Sequence, residues 1–543
     1  VVFSFVEREL LDRINGVSRR SAGVLLPLFS IRGPHSWGVG ELPDLGAAAT
    51  WLSKAQLRLW MLLPLLEAAQ GQDSPYFIQS AFAIDPVYIA LDQVEDFAEL
   101  GGEPALAADD RDELDSLRAR QTIDWGAVRR LKEKWLWRSF ERFSVSGAAV
   151  DSRRARDLAR FREAHSVWLA DYSLFRALKE AEPSQWWRVW DEPLREREPQ
   201  ALARARARFS TRCAFFEYLQ YLAYHQLRRA RAEARTHGIL LGGDLPFTVA
   251  EDSADAWAHQ TELRFDASVG TPPDAYSDQG QDWGMPAYCW DALEDQGYSW
   301  LRRRGDSAAE AFDLVRVDHV VGFYRTYVRP KDGSQPFFSP PGEPSQIEQG
   351  RRVMEALRQG GAALVAEDLG TVPPFVRRSL TELGIPGYRV LRWEQDEGVY
   401  RDPALWPALS VGATGTHDTS TMAAWWEELP QKERKAICCL PALRSLDDAE
   451  AGRFSPAAHQ ALLATVYGSG SSLLAIPVQD LLGTRDRINL PGTVGPHNWS
   501  YRLPWTSSEL LTDPWVCERT EALASLARES RRELALRPGE SSR

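Results

Sequence analysis

Eight short apolar runs punctuate the chain. They are GVLLPLF (23–29), LRLWMLLPL (57–65), GILLGGDLPF (238–247), FDLVRVDHV (312–320), ALVAEDLG (363–370), YRVLRW (388–393), LSVGATGTHD (409–418) and SLLAIPV (472–478). Runs this continuous mark strands buried on both faces, as in parallel sheets. Helical patterns lie between many of them. DLGAAATWLSKAQ (44–56) starts on Asp44, a residue suited to capping a helix, and VPPFVRRSLTELG (372–384) opens on prolines and closes on Gly384. Strands alternating with helices predict an α/β fold, and eight strands predict a (β/α)₈ TIM barrel.

The spacing of the runs is uneven. About 170 residues separate the second from the third, and they carry long helical patterns at 125–143, 167–182 and 201–235. This segment, 75–235, is expected to be a mainly helical subdomain inserted between barrel strands 2 and 3. A second stretch, 250–300, is rich in Asp, Gly, Pro and aromatic residues and reads as irregular active-site loop. Long irregular loops in a compact domain are usually functional or disordered, and the aromatic content argues against disorder. The expectation is a single catalytic domain over 1–530 and a C-terminal tail over 531–543.

Composition narrows the picture. The 543 residues are 44% hydrophobic and 26% charged, as in a soluble globular protein, and the net charge of −12 argues against a general nucleic-acid binder. The first residues, VVFSFVERELLDRING, carry acids early and no long apolar core, and no run is long enough to cross a bilayer. Five cysteines without a CxxC pair predict neither a disulfide framework nor a zinc site, and point to a reducing, cytoplasmic setting. No metal and no cofactor is expected, nor a nucleic-acid or membrane partner; the chain should be a monomer or weak homo-oligomer. Most of the 21 tryptophans are expected in the core, and their number admits a second use, as flat platforms for sugar rings.

The polar residues within the apolar runs carry the chemistry. Arg316 and Asp318 stand two positions apart in DLVRVDHV, so a strand would project them from one face. Two readings fit: a buried ion pair made for packing, or a carboxylate held ionised beside an arginine for attack. Active sites of (β/α)₈ barrels lie at the C-terminal ends of the strands. Those ends carry Asp244, Asp318, Glu367 with Asp368, and His417 with Asp418. Helix capping accounts for one such acid more readily than for acids at four strand ends. Two carboxylates flanking one bond are the equipment of glycoside chemistry, with about 5–5.5 Å between them in a retaining enzyme. Asp318 fits the ionised nucleophile. Glu367, following the apolar ALVA, fits the acid whose pKa burial raises.

At these motifs the chain resembles the 4-α-glucanotransferases of the amylomaltase (disproportionating enzyme) type, glycoside hydrolase family 77 of the α-amylase clan. The resemblance rests on AGVLLPLFS, DSPY, GDLPFTVAEDSADAW, PPDAYSDQGQDWG, VRVDH, AEDLG, GTHDTSTMAAWW, RINLPGT and HNW, in that order over almost the whole chain. It implies Asp318 as nucleophile, Glu367 as general acid/base and Asp418 as the third acid, which grips sugar hydroxyls. It further implies that Arg316 and His417 support the nucleophile and sugar, and that Asp244, Ser74, Tyr76, His319, Asp368 and Asn498 contact the substrate. Trp283 resembles the aromatic platform of a lid-like loop, with Tyr276 and Tyr288 spaced along the same stretch. For several of these a structural duty is the alternative: Asp244 as a cap, Tyr76 as packing, Asn498 as the holder of a turn. The substrate implied is an α-1,4-glucan or maltooligosaccharide. An α-amylase-like hydrolase and a catalytically inert glucan-binding protein are the competing readings.

The chain departs from the commoner family pattern in four places. PLLEAAQGQ stands before DSPY in place of a glycine-rich PLGPTGYG, and Asp85, Met285 and Thr419 stand where Asn is common. None of these changes removes a carboxylate.

Overall fold

The computed structural model describes residues 20–147, 152–273 and 280–534. Its strands, in chain order, are β1 (Gly23–Leu25), β2 (Leu59–Met61), β3 (Leu240–Leu245), β4 (Leu263–Thr271), β5 (Gln281–Tyr288), β6 (Leu314–Val317), β7 (Thr326–Pro330), β8 (Phe337–Ser339), β9 (Ala363–Ala366), β10 (Gly387–Val390), β11 (Gln395–Asp396), β12 (Val399–Tyr400), β13 (Ser410–Ala413), β14 (Leu473–Leu474) and β15 (Ile476–Pro477). One parallel sheet runs β14-β13-β10-β9-β6-β3-β2-β1-β15. Its two ends are halves of one run: β14 pairs with β13, and β15, just beyond Ala475, pairs with β1. The sheet therefore closes on itself, and the fold is a TIM barrel. All eight apolar runs supply barrel strands. The observed strands are shorter than the runs, because residues such as Pro27 end the ladder while the chain stays buried.

The barrel helices include Asp44–Lys54 and Pro374–Glu382. Pro43, not Asp44, holds the cap position of the first; the Asp44 carboxylate instead accepts from the backbone N–H of Glu41 at 2.7 Å.

The segment between β2 and β3 is helical, with Trp125–Arg142 and Ser166–Ala181 close to expectation. The pattern at 201–235 is two helices, Pro199–Arg208 and Ser210–Thr236, parted at Phe209. The second leads straight into β3 and packs on helix Asp44–Lys54. Gly46 makes that approach possible: a Cβ there would lie 2.2 Å from the Glu233 carboxyl carbon. Barrel residues Val24 and Trp60 share one apolar core with Trp135, Phe140 and Phe216 of the helical segment. The helical segment is thus packed into the barrel's core.

The described parts of the stretch 250–300 carry more regular structure than its composition suggests. It forms β4 and β5, which join β7 and β8 in an antiparallel sheet of order β5-β4-β7-β8. Pro286 lies within β5, an edge strand, where a missing N–H costs least. The ladder's register shifts between Arg264 and Gly270 break the alternation that would have marked a strand. The chain also remains pinned beyond residue 530. Arg532 is fully buried, and its guanidinium donates to the carbonyls of Tyr467 (2.8 Å), Ser469 (2.9 Å) and Ser471 (2.7 Å). Among the described residues no helix is long and apolar enough to cross a membrane. The five cysteines are free thiols.

Candidate active site

Strand register assembles the acids. On β3 and β6, Asp244 pairs with Arg316; on β6 and β9, Val317 pairs with Ala366. Asp318 and Glu367 are each the next residue, so they leave neighbouring strands side by side at the barrel mouth. Their backbones are still held in ladder fashion: Asp318 N–H donates to Leu245 O (3.1 Å) and Glu367 N–H to Val317 O (3.0 Å). The acids therefore sit on rigid backbone.

Arg316 and Asp318 do share a face. One guanidinium nitrogen, Nη1, donates to Asp318 Oδ1 at 2.9 Å and to both Asp244 oxygens at 2.8 and 2.7 Å. The two carboxylates around it differ in access: the Asp244 side chain is 1% exposed and that of Asp318 22%. Asp244 is a buried anchor of the arginine, whereas Asp318 faces the cleft.

Glu367 is set up differently. Burial pushes its carboxyl up to about 8; Arg316 pulls against this, and Asp318 adds to it. Its Oε2 accepts from the backbone N–H of His319 at 2.9 Å and its Oε1 from that of Leu369 at 3.2 Å. The first contact depends on a left-handed residue, since His319 has φ 45° and ψ 52°. Such a conformation in a non-glycine residue is strained and held by its surroundings. Burial lowers the His319 imidazole to about 4, against the pull of Asp318, so the ring is neutral at neutral pH.

The third acid stands on the turn after β13. Asp418 Oδ1 accepts from Asn489 Nδ2 at 2.7 Å, and its carbonyl accepts from Arg487 Nη2 at 2.8 Å. His417 Nε2 lies 3.4 Å from Asp418 Oδ2. The His417 ring stacks on Tyr76 (5.3 Å between centroids, 18° between planes), and Trp499 closes the group at 5.9 Å from each. Tyr76 Oη donates to Asp244 Oδ2 at 2.8 Å, which links this aromatic group to the Arg316 cluster. Ser74 lies on the same loop and accepts from Tyr76 N–H at 3.4 Å.

Trp283 lies on β5, partly exposed, with its ring edge-on to His319 at 4.8 Å and to Phe247 at 6.5 Å. The antiparallel sheet thus brings an aromatic face to the rim beside Asp318. Tyr288 does not join it. It is 1% exposed, packed against Phe247 and Phe323, with its hydroxyl taken up by Arg304 and the Phe247 carbonyl. Trp283 and Tyr288 both reach Phe247, but the strand between them passes through Gly284 at φ 65°, and only Trp283 stays at the exposed rim. Tyr276 lies outside the described residues.

Two expected substrate contacts have other occupations. Asp368 follows Glu367 directly, so it turns to the opposite side. There its carboxylate accepts from Tyr388 N–H (2.6 Å) and Arg377 Nε (3.1 Å), with Arg389 Nη1 at 3.4 Å. Asn498 holds a turn: it accepts from Leu490 N–H at 2.8 Å and donates to Thr493 O at 2.9 Å. The departures from the family pattern are accommodated as well. Asp85 forms a two-pronged ion pair with Arg129 (2.8 and 2.7 Å), Thr419 Oγ1 braces the backbone of Thr416, and Met285 is buried.

Sequence reasoning missed Arg487, Asn489 and Trp499 as members of the site. The first two fall in RINLPGT and the last in HNW, so the motifs pointed at the right segments without indicating which side chains turn inward. Among the described residues no group of three or more His, Cys, Asp or Glu side chains is arranged to hold a metal ion.

The comparisons with known proteins bear on this geometry. The family model described as 4-alpha-glucanotransferase, glycoside hydrolase family 77, matches residues 26–508. The 4-alpha-glucanotransferase of Thermus thermophilus is 34% identical over 508 residues, covering 89% of this chain and 95% of that protein. That of Chlamydia pneumoniae is 31% identical, covering 90% and 92%. Among solved structures, the Streptococcus agalactiae amylomaltase in complex with acarbose superposes with a TM-score of 0.81 at 25% identity, over 95% of this chain and all of that one. A family match over most of the chain, relatives above 30% identity along nearly their full length, and a shared barrel agree: the chain belongs to the 4-α-glucanotransferases of glycoside hydrolase family 77.

Proposed function

We propose that the enzyme moves α-1,4-glucan segments between maltooligosaccharides by a retaining double displacement, with Asp318, Glu367 and Asp418 as its working acids. The observation that carries this reading is the contrast between register neighbours. Asp318 is ion-paired to Arg316 and open to the cleft, while burial keeps Glu367 protonated to about pH 8. A carboxyl that keeps its proton beside a second one that is ion-paired and accessible is what a division into acid and nucleophile requires.

Asp318 attacks the anomeric carbon of the donor as Glu367 gives its proton to the departing glycosidic oxygen. The C–O bond breaks, the shortened glucan leaves with a free 4-hydroxyl, and a glycosyl ester on Asp318 remains. An acceptor hydroxyl then attacks the same carbon. Glu367, now a carboxylate, takes its proton, and Asp318 leaves as a carboxylate. Two inversions restore the starting configuration. Asp418, fixed by Asn489, is placed to hold sugar hydroxyls, and Tyr76 with His417 offers a flat surface to a bound ring. Trp283 at the rim favours a sugar acceptor over water.

Likeness to an amylomaltase solved with acarbose supports an oligosaccharide occupant. The free thiols fit a reducing, cytoplasmic setting. Incubation with maltotriose and separation of the products tests the reading. Longer maltodextrins together with glucose mean transfer; glucose and maltose alone mean that water is the acceptor. A ligand-bound crystal structure should place the two carboxyls about 5–5.5 Å apart, and a separation near 9 Å would exclude the retaining assignment.

A further inference from the structure

The loop that carries Ser74 and Tyr76 is the tip of a hairpin with a built stem. Leu66 bridges Ile84, and Ala68 bridges Ile78. Between these bridges Glu67 N–H donates to Ala83 O (2.8 Å), and Glu67 O accepts from Gln79 N–H (2.7 Å). Glu67 is buried, at 4% exposure, in the stretch where the chain departs from the glycine-rich family pattern.

Its carboxylate is fully occupied. Oε2 accepts from Tyr172 Oη at 2.8 Å and from Gln79 Nε2 at 3.2 Å, and Oε1 pairs with Arg176. Tyr172 and Arg176 are one turn apart on helix Ser166–Ala181. The Arg176 guanidinium lies over the ring of Phe216 at 4.5 Å, on helix Ser210–Thr236. From that helix Gln220 donates to Tyr172 Oη (3.2 Å) and exchanges two hydrogen bonds with the backbone of Ile84, both 2.9 Å. Two helices of the insert therefore grip both sides of the stem. At the other end of the hairpin Tyr76 reaches Asp244, which holds Arg316, which holds Asp318.

A buried ion pair is a poor device for stability alone, because desolvation offsets most of its attraction. Its geometric demand is what apolar packing lacks. We propose that Glu67 is a positioning residue for substrate binding. Through Arg176 and Tyr172 it fastens the hairpin stem to the helical insert and so keeps Tyr76 against Asp244 and His417. The insert thereby sets the affinity of the cleft without touching the glucan. This rests on the glucan-transfer reading for its kinetic consequence and on the geometry alone for the anchor.

The test uses the full-length enzyme with Glu67→Gln and the apolar double variant Glu67→Met/Arg176→Met. Three quantities are read: KM and kcat for maltotriose disproportionation, amide hydrogen exchange over residues 68–78, and Tm. Glu67→Gln should raise KM about tenfold with kcat changed much less, and speed exchange across 68–78 by about tenfold or more. The double variant should recover most of any lost Tm, since a buried pair replaced by apolar side chains keeps its packing, yet retain the raised KM and fast exchange. Tyr76→Phe added to Glu67→Gln should raise KM by less than the product of the two single effects, because both act through one ring. Wild-type KM and wild-type exchange in Glu67→Gln would overturn the proposal, as would a double variant that recovers KM together with Tm. If the wild-type enzyme made no transfer products, the catalytic reading would fall while the exchange measurement still decided the anchor.

Discussion

Two clusters among the described residues set buried carboxylates near a single cation and invite comparison, because one of the two opens on a cleft and the other does not. At the barrel mouth Asp244, Asp318 and Glu367 surround Arg316. At the seam between the loop after β1 and helix Trp125–Arg142, Lys132 donates to Glu41 Oε1 at 2.6 Å, and the Asp44 carboxylate lies beside this pair, accepting from Glu41 N–H. Burial raises Glu41 to about 7 despite Lys132, and raises Asp44 to about 8 with Glu41 adding to it. Glu367 reaches about 8 by the same cause. A raised carboxyl pKa therefore does not tell the two clusters apart. Access and pairing do. The seam is sealed, with Glu41 at 2%, Asp44 at 8% and Lys132 at 1% exposure, and each acid is spent on a hydrogen bond within the protein. The mouth keeps Asp318 open beside an acid that still carries its proton. Perturbed titration marks burial, and function needs a second group in the opposite state within reach of a substrate.

The largest effects should come from the mouth. Asp318→Ala should abolish both transfer and hydrolysis, a loss of about 10⁴-fold or more in kcat, since without the nucleophile no ester forms. Product analysis on maltotriose measures this, and residual turnover within tenfold of wild type would remove Asp318 from its role. Glu367→Gln should cost about 10²–10⁴-fold, the range for a lost general acid/base. Donors that leave without protonation should recover much of the glycosylation rate. The pH profile carries the same signature. Glycosylation needs Glu367 protonated, so the rate should hold below pH 8 and fall about tenfold per unit above it. A basic limb unmoved in Glu367→Gln would assign that limb to another group.

The mouth was legible in the sequence because it obeys strand parity. Arg316 and Asp318 share a face as residues i and i+2 do, and Asp318 and Glu367 each directly follow the apolar residue that ends their strand. The same rule, applied one step further, separates Asp368 from Glu367. Shared membership of AEDLG had grouped these two, and parity divides them. The eight runs declared the barrel because strands buried on both faces stay largely apolar, with few polar positions among them. The sheet β5-β4-β7-β8 was hidden by Pro286, by glycines and by its register shifts, which erase a period of two. The break at Phe209 was hidden because an apolar residue at helical spacing carries no stop signal. Asn489 was unreadable for another reason: its contact with Asp418 depends on how a loop with no periodicity folds back. The seam cluster was equally silent, since Glu41, Asp44 and Lys132 look like surface charges until a helix is packed over them.

A smaller effect sharpens the contrast at the rim. Trp283→Ala should remove a stacking face worth about 1–2 kcal/mol, lowering the ratio of transfer to hydrolysis by roughly tenfold. Water at about 55 M competes for the ester, so a modest loss of acceptor positioning is visible in that ratio. An unchanged ratio on maltotriose would mean that selection against water comes from elsewhere in the cleft.

The smallest effect on activity belongs to the seam. Glu41 and Asp44 ionise near their ordinary values of 4.5 and 3.8 when the chain unfolds, and at about 7 and about 8 when it is folded. The folded state then binds more protons between those limits, so stability falls as pH rises. Their contribution is complete below about pH 4 and is lost as pH climbs through 7 and 8. Asp44→Asn removes the acid that has no cation of its own, while its amide oxygen can still accept from Glu41 N–H. The variant should leave kcat and KM unchanged and raise Tm at pH 8.5 by on the order of a few degrees, with little change at pH 5. A residual decline of Tm with pH is expected in Asp44→Asn, since Glu367 titrates with the same sign. If Asp44→Asn shifted the pH–rate profile instead of the pH dependence of Tm, the seam would be coupled to catalysis, and the division drawn between the two clusters would fail.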